Sequence, residues 1–589
     1  MPVLDNISTS LHNLVPSSSS ISSFSFSSLS SYTPSNSPYF LILTLTFSSL
    51  LLLSLLLLLL LLFLFIVSST KSSKEHTSVP EHLPWVGRES TQFLASIRAN
   101  YRGLVDSVRI YREGYRKHSK SNQIYIAPTW TKGPQYILPP SMTSWLAAQP
   151  DAILNAKDCT FDTAQFTWTV GHPEITSNDM IDLLIKRELT RGIGAMNGEL
   201  MEEVEGSMEG LFSTNSNSNA GAEGGEWKQV GVFDSLTKTV GRVANRVFVG
   251  KELCSNMDFV MAGTHFARDI SVSSYILHMF PKFMKPAVAW FATIPNRRHS
   301  GIMMKYLQPL IKQRIEDMNR KKADPSWHWE EPNDFLTWMV RESFKRNTED
   351  ERSVYSLAYR VVLLNFAAIT TSTIMATNAL LDIWSAKDSP AIVESLREEA
   401  SRVLKEHNGV WTKAAVAKLH RLDSAIRESS RVSGVGGTSI ARKVRADNGV
   451  TLPDGTWVPK GAIVGVSMDG IHFDEKFYEK VNEFDAFRFS RPREEQQQLV
   501  DVSLGEKPRV TVHEDLVNTS PHFLPFSHGI HACPGRFFAA NNIKLILAHL
   551  LLNYEIQPFE TRPPNMSIGD ISVVPVKATM MIRKREVKA

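Results

Sequence analysis

Between His12 and Lys71 the chain carries no acidic, basic or histidine side chain. Inside that gap Tyr39 to Val67 is a 29-residue apolar run with a leucine-rich centre, Leu50 to Leu62. Such a stretch has to leave water, and about 20 helical residues suffice to cross a bilayer. A cleaved signal has an apolar core of about 7–15 residues behind a basic start; this run is far longer and has no basic start. It predicts one retained transmembrane helix over 39–67. Lys71 and Lys74 follow it directly and favour a cytosolic C-terminal side. Residues 1–38 contain 15 serines and read as a disordered tail on the opposite side, where Asn6-Ile7-Ser8 has the form of a glycan acceptor.

Residues 68–83 form a short linker, and Pro84-Trp85-Val86-Gly87 opens a single large unit over 84–589. With 43% hydrophobic and 21% charged residues, the 589-residue chain has material for a sizeable core. Its net charge of +4 is too even for a dedicated nucleic-acid binder. Three cysteines (Cys159, Cys254, Cys533) supply neither a disulfide framework nor a cysteine-rich zinc site. Helical periodicity predicts helices over 178–210, 228–250, 301–322, 351–385, 389–407, 412–432 and 536–553. Strand-like runs fall at 121–138, 440–466 and 570–584, with a hairpin turning at Asp454-Gly455. Ser/Asn/Gly-rich residues 213–226 read as a surface insertion, and 493–520 as a second polar interruption. The expected fold is mainly α with small β-sheets.

The stretch Phe523 to Leu552 carries the most chemistry. Cys533 is followed by Pro534, which suits a first helical turn because it has no N–H to leave unpaired. An apolar helix follows from Gly535. A cysteine at a helix N-terminus meets unpaired amides and the positive dipole end, which favour thiolate over thiol. Gly529 lets the preceding loop approach closely. A thiolate so placed is suited to bind a haem iron axially, where its electron donation promotes O–O cleavage. Phe526, Gly529, His531, Cys533 and Gly535 stand at the spacing Phe-x-x-Gly-x-(Arg/His)-x-Cys-x-Gly. This segment resembles the cytochrome P450 family. The resemblance implies a P450 fold, haem b with Cys533 as axial ligand, Phe526 packed on the ligand side, and His531 as a cation for a haem propionate.

Three further segments carry the same resemblance in order. Glu428 and Arg431 lie one helical turn apart, about 100 residues before Cys533, as the Glu-x-x-Arg of P450s does. Phe484-Asp485-Ala486-Phe487-Arg488-Phe489 resembles the family's Pro-Glu-Arg-Phe segment, matching literally only at Arg488 and Phe489. A buried Glu428–Arg431–Arg488 network with a structural role is implied. Val361 to Leu381 has no charge for 21 residues but includes Asn365, Asn378 and four consecutive hydroxyls, Thr370 to Thr373; a helix buried through the protein centre suits it better than a second membrane span. In the family's (Ala/Gly)-Gly-x-(Asp/Glu)-Thr-(Thr/Ser) frame, Ala367-Ala368-Ile369-Thr370-Thr371-Ser372 makes Thr371 the hydroxyl toward dioxygen. Thr370 replaces the carboxylate, so a proton relay has to use water, Thr371 or Ser372. Arg442 and Arg187 are candidates for haem propionates.

The resemblance covers roughly 84–589 and is similar to fungal enzymes of secondary metabolism, some of which oxidise terpenoids. It implies a monooxygenase acting on an apolar small molecule, anchored in the endoplasmic reticulum membrane with its catalytic domain in the cytosol. A reductase-independent peroxygenase or isomerase, or a non-catalytic haem-binding membrane protein, are the alternatives. Gly192-Ile193-Gly194 and Gly434 to Gly437 both fail the Gly-x-Gly-x-x-Gly dinucleotide spacing. Electrons therefore have to come from a separate protein; the resemblance implies an NADPH–cytochrome P450 reductase, with Arg536 and Lys544 expected to supply positive charge for docking.

Overall fold

Two helices, α1 (Ala95–Val105) and α2 (Ser107–Lys117), lead into an antiparallel hairpin of β1 (Tyr125–Thr129) and β2 (Gly133–Leu138). The hairpin joins β3 (Leu154–Asn155), β5 (Thr438–Val444) and β8 (Ile463–Ser467) in a five-stranded sheet ordered β1-β2-β8-β5-β3. Only the β2–β8 pair is parallel. Every residue of β1 and β8 is buried, so these strands read as short apolar runs rather than alternating ones. A three-stranded sheet orders β4 (Lys228–Gly231), β12 (Thr579–Lys584) and β9 (Tyr554–Ile556). Two hairpins complete the β content: β6 (Val450–Thr451) with β7 (Trp457–Val458), and β10 (Met566–Ile568) with β11 (Ile571–Val573).

The helical body comprises α3 (Ala156–Ala164), α4 (Asn197–Ser213), α5 (Val232–Val249), α6 (Met257–His278), α7 (Lys285–Ala292), α8 (Ile294–Ala323), α9 (Val354–Trp384), α10 (Ser389–Glu406), α11 (His420–Val432) and α12 (Arg536–Asn553). The 31-residue α9 is the axle. Its N-terminus is capped by Ser353, whose hydroxyl accepts the Ser356 amide, and α5, α6, α8, α11 and α12 all pack on it. Among the described residues, α9 is the one helix long and apolar enough to cross a bilayer, yet it is mostly buried by its neighbours. A helix apolar all round is a core helix once other helices cover it.

This computed structural model describes residues 79–88, 95–213, 226–346, 348–495 and 514–586, with isolated positions 49, 52, 54 and 55. The expected tail 1–38, the transmembrane run 39–67, most of the linker and most of the two polar interruptions lie outside the described residues. The described residues from Val79 onward belong to one unit, Phe65–Ala589.

Several expected elements take a different form. The helix expected over 178–210 is broken into Met180–Leu184, a π-helical turn at Ile185–Leu189, a 3-10 turn at Ile193–Met196 and then α4. At Gly194 a Cβ would stand 2.5 Å from Lys413 Cβ, so close approach of another segment interrupts the helix there. The region 228–250 starts as β4, because Lys228–Gly231 finds hydrogen-bonding partners on β12. Helix α6 was not foreseen: Gly263, Thr264, Ser271, Ser273 and Ser274 blur its apolar period. The region 412–432 divides into Lys413–Ala417 and α11. The hairpin turn contains Gly455 at φ 89°, a conformation glycine adopts without strain.

Candidate active site

The loop before α12 is folded back on itself by two residues in the left-handed region, Ser527 (φ 61°) and Gly529 (φ 79°). A Cβ on Gly529 would sit 2.8 Å from the Ala147 carbonyl oxygen, so no larger residue fits. The Cys533 amide closes the loop by donating to the Phe526 carbonyl at 2.8 Å. Phe526 itself is buried against the main core. Gly535 is the cap of α12, which places Pro534 before the cap rather than in the first turn. The amides of Gly535 and Arg536 reach the Cys533 sulfur, and the Arg536 charge adds to them. Arg536 also donates to the carbonyls of Cys533 (2.8 Å) and Val517 (3.0 Å).

These donors pull the Cys533 thiol toward ionisation, but burial outweighs them and leaves its pKa above the ordinary thiol value. The cap alone therefore does not keep this side chain anionic, contrary to the expectation from sequence. A thiolate here needs a cation at the sulfur, and a metal that coordinates a thiol deprotonates it outright. Among the described residues no cluster of three or more His, Cys, Asp or Glu side chains is placed to hold a metal ion. A single thiolate donor would suit a haem iron, whose other ligands the porphyrin would supply.

Midway along α9 the burial pattern opens. Ala367 and Thr371, one turn apart, are exposed, although most of the helix is buried. Thr371 Oγ1 donates back to the Ala367 carbonyl at 2.8 Å, and Thr373 Oγ1 does the same to Ile369 at 2.8 Å. Thr370 Oγ1 is buried without a hydrogen-bond partner, and Ser372 is buried. Phe366 meets Phe166 edge-on at 5.9 Å between ring centroids, bringing the 156–170 region against the same stretch of α9. Helices α9 and α12 pack directly on each other.

Arg442 lies on β5 just after a register shift between Ser439 and Arg442. Ile440 at φ 51° accompanies the irregularity, a conformation a β-branched residue rarely adopts. Bulges re-aim side chains. Arg442 is 3% exposed, donates from Nη1 only to the neighbouring Ala441 carbonyl (3.0 Å), and leaves Nε and Nη2 buried without partners. Burial lowers its pKa. Buried guanidinium nitrogens without acceptors are costly unless something anionic meets them. His531 sits nearby: burial and the Arg442 charge lower its pKa, and Lys186 lowers it further. Its Nε2 lies 2.9 Å from Asp151 Oδ1, an ion-pair distance without an aligned hydrogen bond.

Arg187 is occupied elsewhere. It donates to Glu188 and Glu342, each at 2.8 Å, and is partly exposed. Its neighbour Lys186 is the residue close to His531. Both lie in the π-helical turn Ile185–Leu189, whose wider winding rotates side chains away from the α-helical register; such turns recur at functional sites. Sequence spacing carried no signal for that rotation. Lys544 is likewise not the exposed docking cation expected of it: it is buried and paired with Asp423.

Glu428, Arg431 and Arg488 come together. Glu428 accepts from Arg431 Nε and Nη2, both at 2.8 Å, and from Arg488 Nε at 3.1 Å. The Glu428 and Arg431 side chains are fully buried. Arg431 also donates to the carbonyls of His472, Val481 and Glu483, so one guanidinium ties α11 to the segment 472–483. His472 extends the link: its Nε2 accepts the Leu524 amide at 3.1 Å, at the root of the Cys533 loop.

Comparison with known proteins agrees with this arrangement. Residues 197–582 match the family profile described as Cytochrome P450. The chain is 32% identical over 511 residues to cytochrome P450 monooxygenase 71 of Postia placenta, covering 86% of this chain and 94% of that protein. It is 30% identical over 515 residues to cytochrome P450 monooxygenase gloP of Glarea lozoyensis (85% and 91%). With monooxygenase polB of Polytolypa hystricis it shares 27% over 511 residues (86% and 94%). A mainly helical body with small sheets, built around a hydroxyl-bearing central helix and a cysteine at a helix cap, defines a haem-dependent oxidoreductase. The chain belongs to the cytochrome P450 family and is a monooxygenase whose cofactor is haem b. The residues present fit that group: the unpartnered nitrogens of Arg442 suit a propionate, and Ala367 and Thr371 of α9 are left uncovered by the protein.

Proposed function

We propose that this chain is a single-pass membrane monooxygenase that oxidises an apolar small molecule of secondary metabolism, of terpenoid class, with electrons from NADPH delivered by a separate reductase. The observation that carries the reading is the Cys533 loop, its sulfur met by two backbone amides at the start of α12, the helix that packs on α9. When bound, haem supplies the activation of dioxygen and the transfer of one oxygen atom. Cys533 Sγ would hold the haem iron, with the Gly535 and Arg536 amides spreading its negative charge. Phe526 keeps water from that side. Arg442, His531 and Lys186 would hold the propionates, in preference to Arg187, which is paired with Glu188 and Glu342. Thr371 Oγ1 holds and passes a proton at the exposed stripe, its rotamer set by the bond to Ala367. Thr370 stands where the family has an acid and Ser372 where it has a hydroxyl, so proton passage runs through hydroxyl groups and water. Phe166, Phe366 and the glycine-bearing segment 432–440 are offered as substrate walls.

The anchor is residues 39–67, behind a serine-rich tail 1–38 and before the linker 68–83. Residues 84–589 are the catalytic domain, on the cytosolic face of the endoplasmic reticulum. The test is reconstitution of the full chain with a NADPH–P450 reductase in lipid, against a panel of apolar terpenoids. The expected result is a substrate-induced shift of the haem absorbance and an oxygenated product that requires NADPH and reductase. Equal turnover with peroxide and no reductase would overturn the reading.

A further inference from the structure

The C-terminal end of α9 carries two polar residues that the proposed chemistry does not use. Asn378 and Asp382 lie 7 and 11 residues beyond Thr371 (378 − 371 and 382 − 371), close to two and three full turns at about 3.6 residues per turn. They therefore stand on the same face of α9 as that hydroxyl, about 10 and 16 Å along the axis at roughly 1.5 Å per residue. Both are buried. A carboxylate out of water is costly unless it is paired and hydrogen-bonded, and Asp382 is both. Its Oδ2 accepts the Ser429 hydroxyl at 2.6 Å, and its Oδ1 accepts the Ser433 hydroxyl at 3.1 Å and Arg562 Nε.

Arg562 spreads the contact. It donates from Nη2 to Asn378 Oδ1 (2.9 Å) and from Nη1 to Asn565 Oδ1 (3.3 Å). Asn378 donates to the Ser433 carbonyl at 2.7 Å. Asn565 donates to Asn378 Oδ1 (3.1 Å) and to the Ser572 hydroxyl (3.2 Å). One cluster thus joins three segments: the end of α9, the C-cap of α11 at Ser433, and residues 562–572 around the β10–β11 hairpin. Lysine, whose ammonium is a compact point charge, does not present the fixed fork that reaches all of them.

The same segments meet again at the substrate wall. Residues 433–437 leave α11 and run into β5, which carries Arg442. The Ser572 amide donates to the Val435 carbonyl (3.0 Å) and the Gly437 amide to the Asp570 carbonyl (3.1 Å), with a bridge between Gly436 and Ile571. A Cβ on Gly436 would stand 2.8 Å from the Asp570 carbonyl oxygen, so hairpin and segment touch backbone to backbone. Val435 packs against the core that holds Ile369 of α9 and Phe526. Yet Gly434, Gly436 and Gly437 also line a cavity of about 420 Å³, together with Asp382 and Arg562. Protein interiors are held by close packing; beside this cavity the hydrogen bonds take over that task.

We infer that Asn378, Asp382 and Arg562 are positioning residues that hold the 433–437 wall and the β10–β11 hairpin at a set distance from Thr371, and so determine the size of substrate the site accepts. The inference rests on the haem-thiolate reading above, in which 432–440 walls the substrate site.

The test compares two variants with wild type as full-chain holoenzymes in detergent. Arg562→Lys keeps a cation beside Asp382 and loses the fork; Asn565→Ala cuts the link to Ser572 and leaves Asp382 untouched. Imidazole and clotrimazole are the probes: each binds the haem iron through an azole nitrogen, but only clotrimazole, with its aryl rings, extends to the walls. Dissociation constants are read from the shift in haem absorbance, and amide hydrogen exchange is measured across 433–440 and 566–573. Both variants should keep imidazole affinity within about twofold and lose clotrimazole affinity about tenfold, because a wall that has to be ordered on binding costs affinity. Both segments should also exchange faster than in wild type. Clotrimazole affinity as in wild type, whether or not exchange quickens, would overturn the inference. An equal loss for both azoles would overturn it too, because the cluster would then support the fold as a whole rather than the wall. A wild-type protein that binds neither azole would instead refute the haem-thiolate reading.

Discussion

Replacing Glu428 with glutamine removes one negative charge from a place where two guanidinium groups depend on it. Glu428 accepts four donors: Nε and Nη2 of Arg431, Nε of Arg488, and the Asp485 amide at 3.2 Å. The glutamine has the same shape but half the acceptor capacity, and its NH2 would point at a guanidinium nitrogen. Arg431 is fully buried and has no second carboxylate within hydrogen-bond reach among the described residues. Breaking one partner of a buried pair typically costs about 3–5 kcal/mol, a large part of the roughly 5–15 kcal/mol that holds a protein folded. The contrasting variant is Glu406→Gln, whose partners Arg402 and Lys418 are about half exposed; exposed pairs contribute about 0–1 kcal/mol. The assay is urea unfolding of each full chain in detergent, followed by far-ultraviolet circular dichroism and haem absorbance. E428Q should move the midpoint down by about 1 M, given slopes of a few kcal/mol per M for a chain of this size, while E406Q should stay near wild type. A midpoint for E428Q indistinguishable from E406Q would refute the reasoning, because the pair would then behave as a solvated one.

Thr371→Ala should lower oxygenated product by about 10²-fold, the scale of a positioned proton donor, with NADPH consumed faster than product appears. T371S should recover most of it, and an unimpaired T371A would remove this hydroxyl from the mechanism. Arg442→Met should weaken haem retention, read as transfer to apomyoglobin, yet raise the melting temperature of the haem-free protein by removing a buried cation with two unpartnered nitrogens; a fall in both would show that Arg442 is satisfied without haem. Burial and the nearby Arg431 charge lower the His472 pKa to about 3, against about 6.5 for an unperturbed histidine. The unfolded chain then binds the extra proton first, so the stability from neutral His472 is present above pH ~6.5 and is lost as pH falls toward 3. Between pH 6.5 and 5 wild type should lose about 2 kcal/mol more than His472→Gln, at roughly 1.4 kcal/mol per unit; equal losses would show that His472 is not held neutral.

Local chemistry was legible where the residues that define a feature lie close together in sequence. The loop at 526–535 could be read because a cysteine before a helix, a glycine that must reach φ 79° and a buried aromatic all fall within ten positions. Helices with unbroken apolar periods, such as α9, α10 and α12, could be placed to within a few residues of their ends. What the chain does at long range was not. Glu428 and Arg431 show their spacing, but not that carbonyls at 472, 481 and 483 close around the arginine. The strand character of 228–231 depends on β12, some 350 positions away. The π turn that occupies Arg187 with Glu188 and Glu342 and leaves Lys186 near His531 changes winding without any proline or glycine inside it. Partial burial of Cys533, which outweighs the expected pull of the helix cap, is likewise a property of the packed state.

The central claim is a sulfur–iron bond at Cys533, and the reduced carbon monoxide difference spectrum reports it directly. The account predicts a band at about 450 nm for the full chain, as the family name records, and its loss in Cys533→Ser with the fold otherwise retained by circular dichroism. A Cys533→Ser protein that kept both the band and the activity would contradict it.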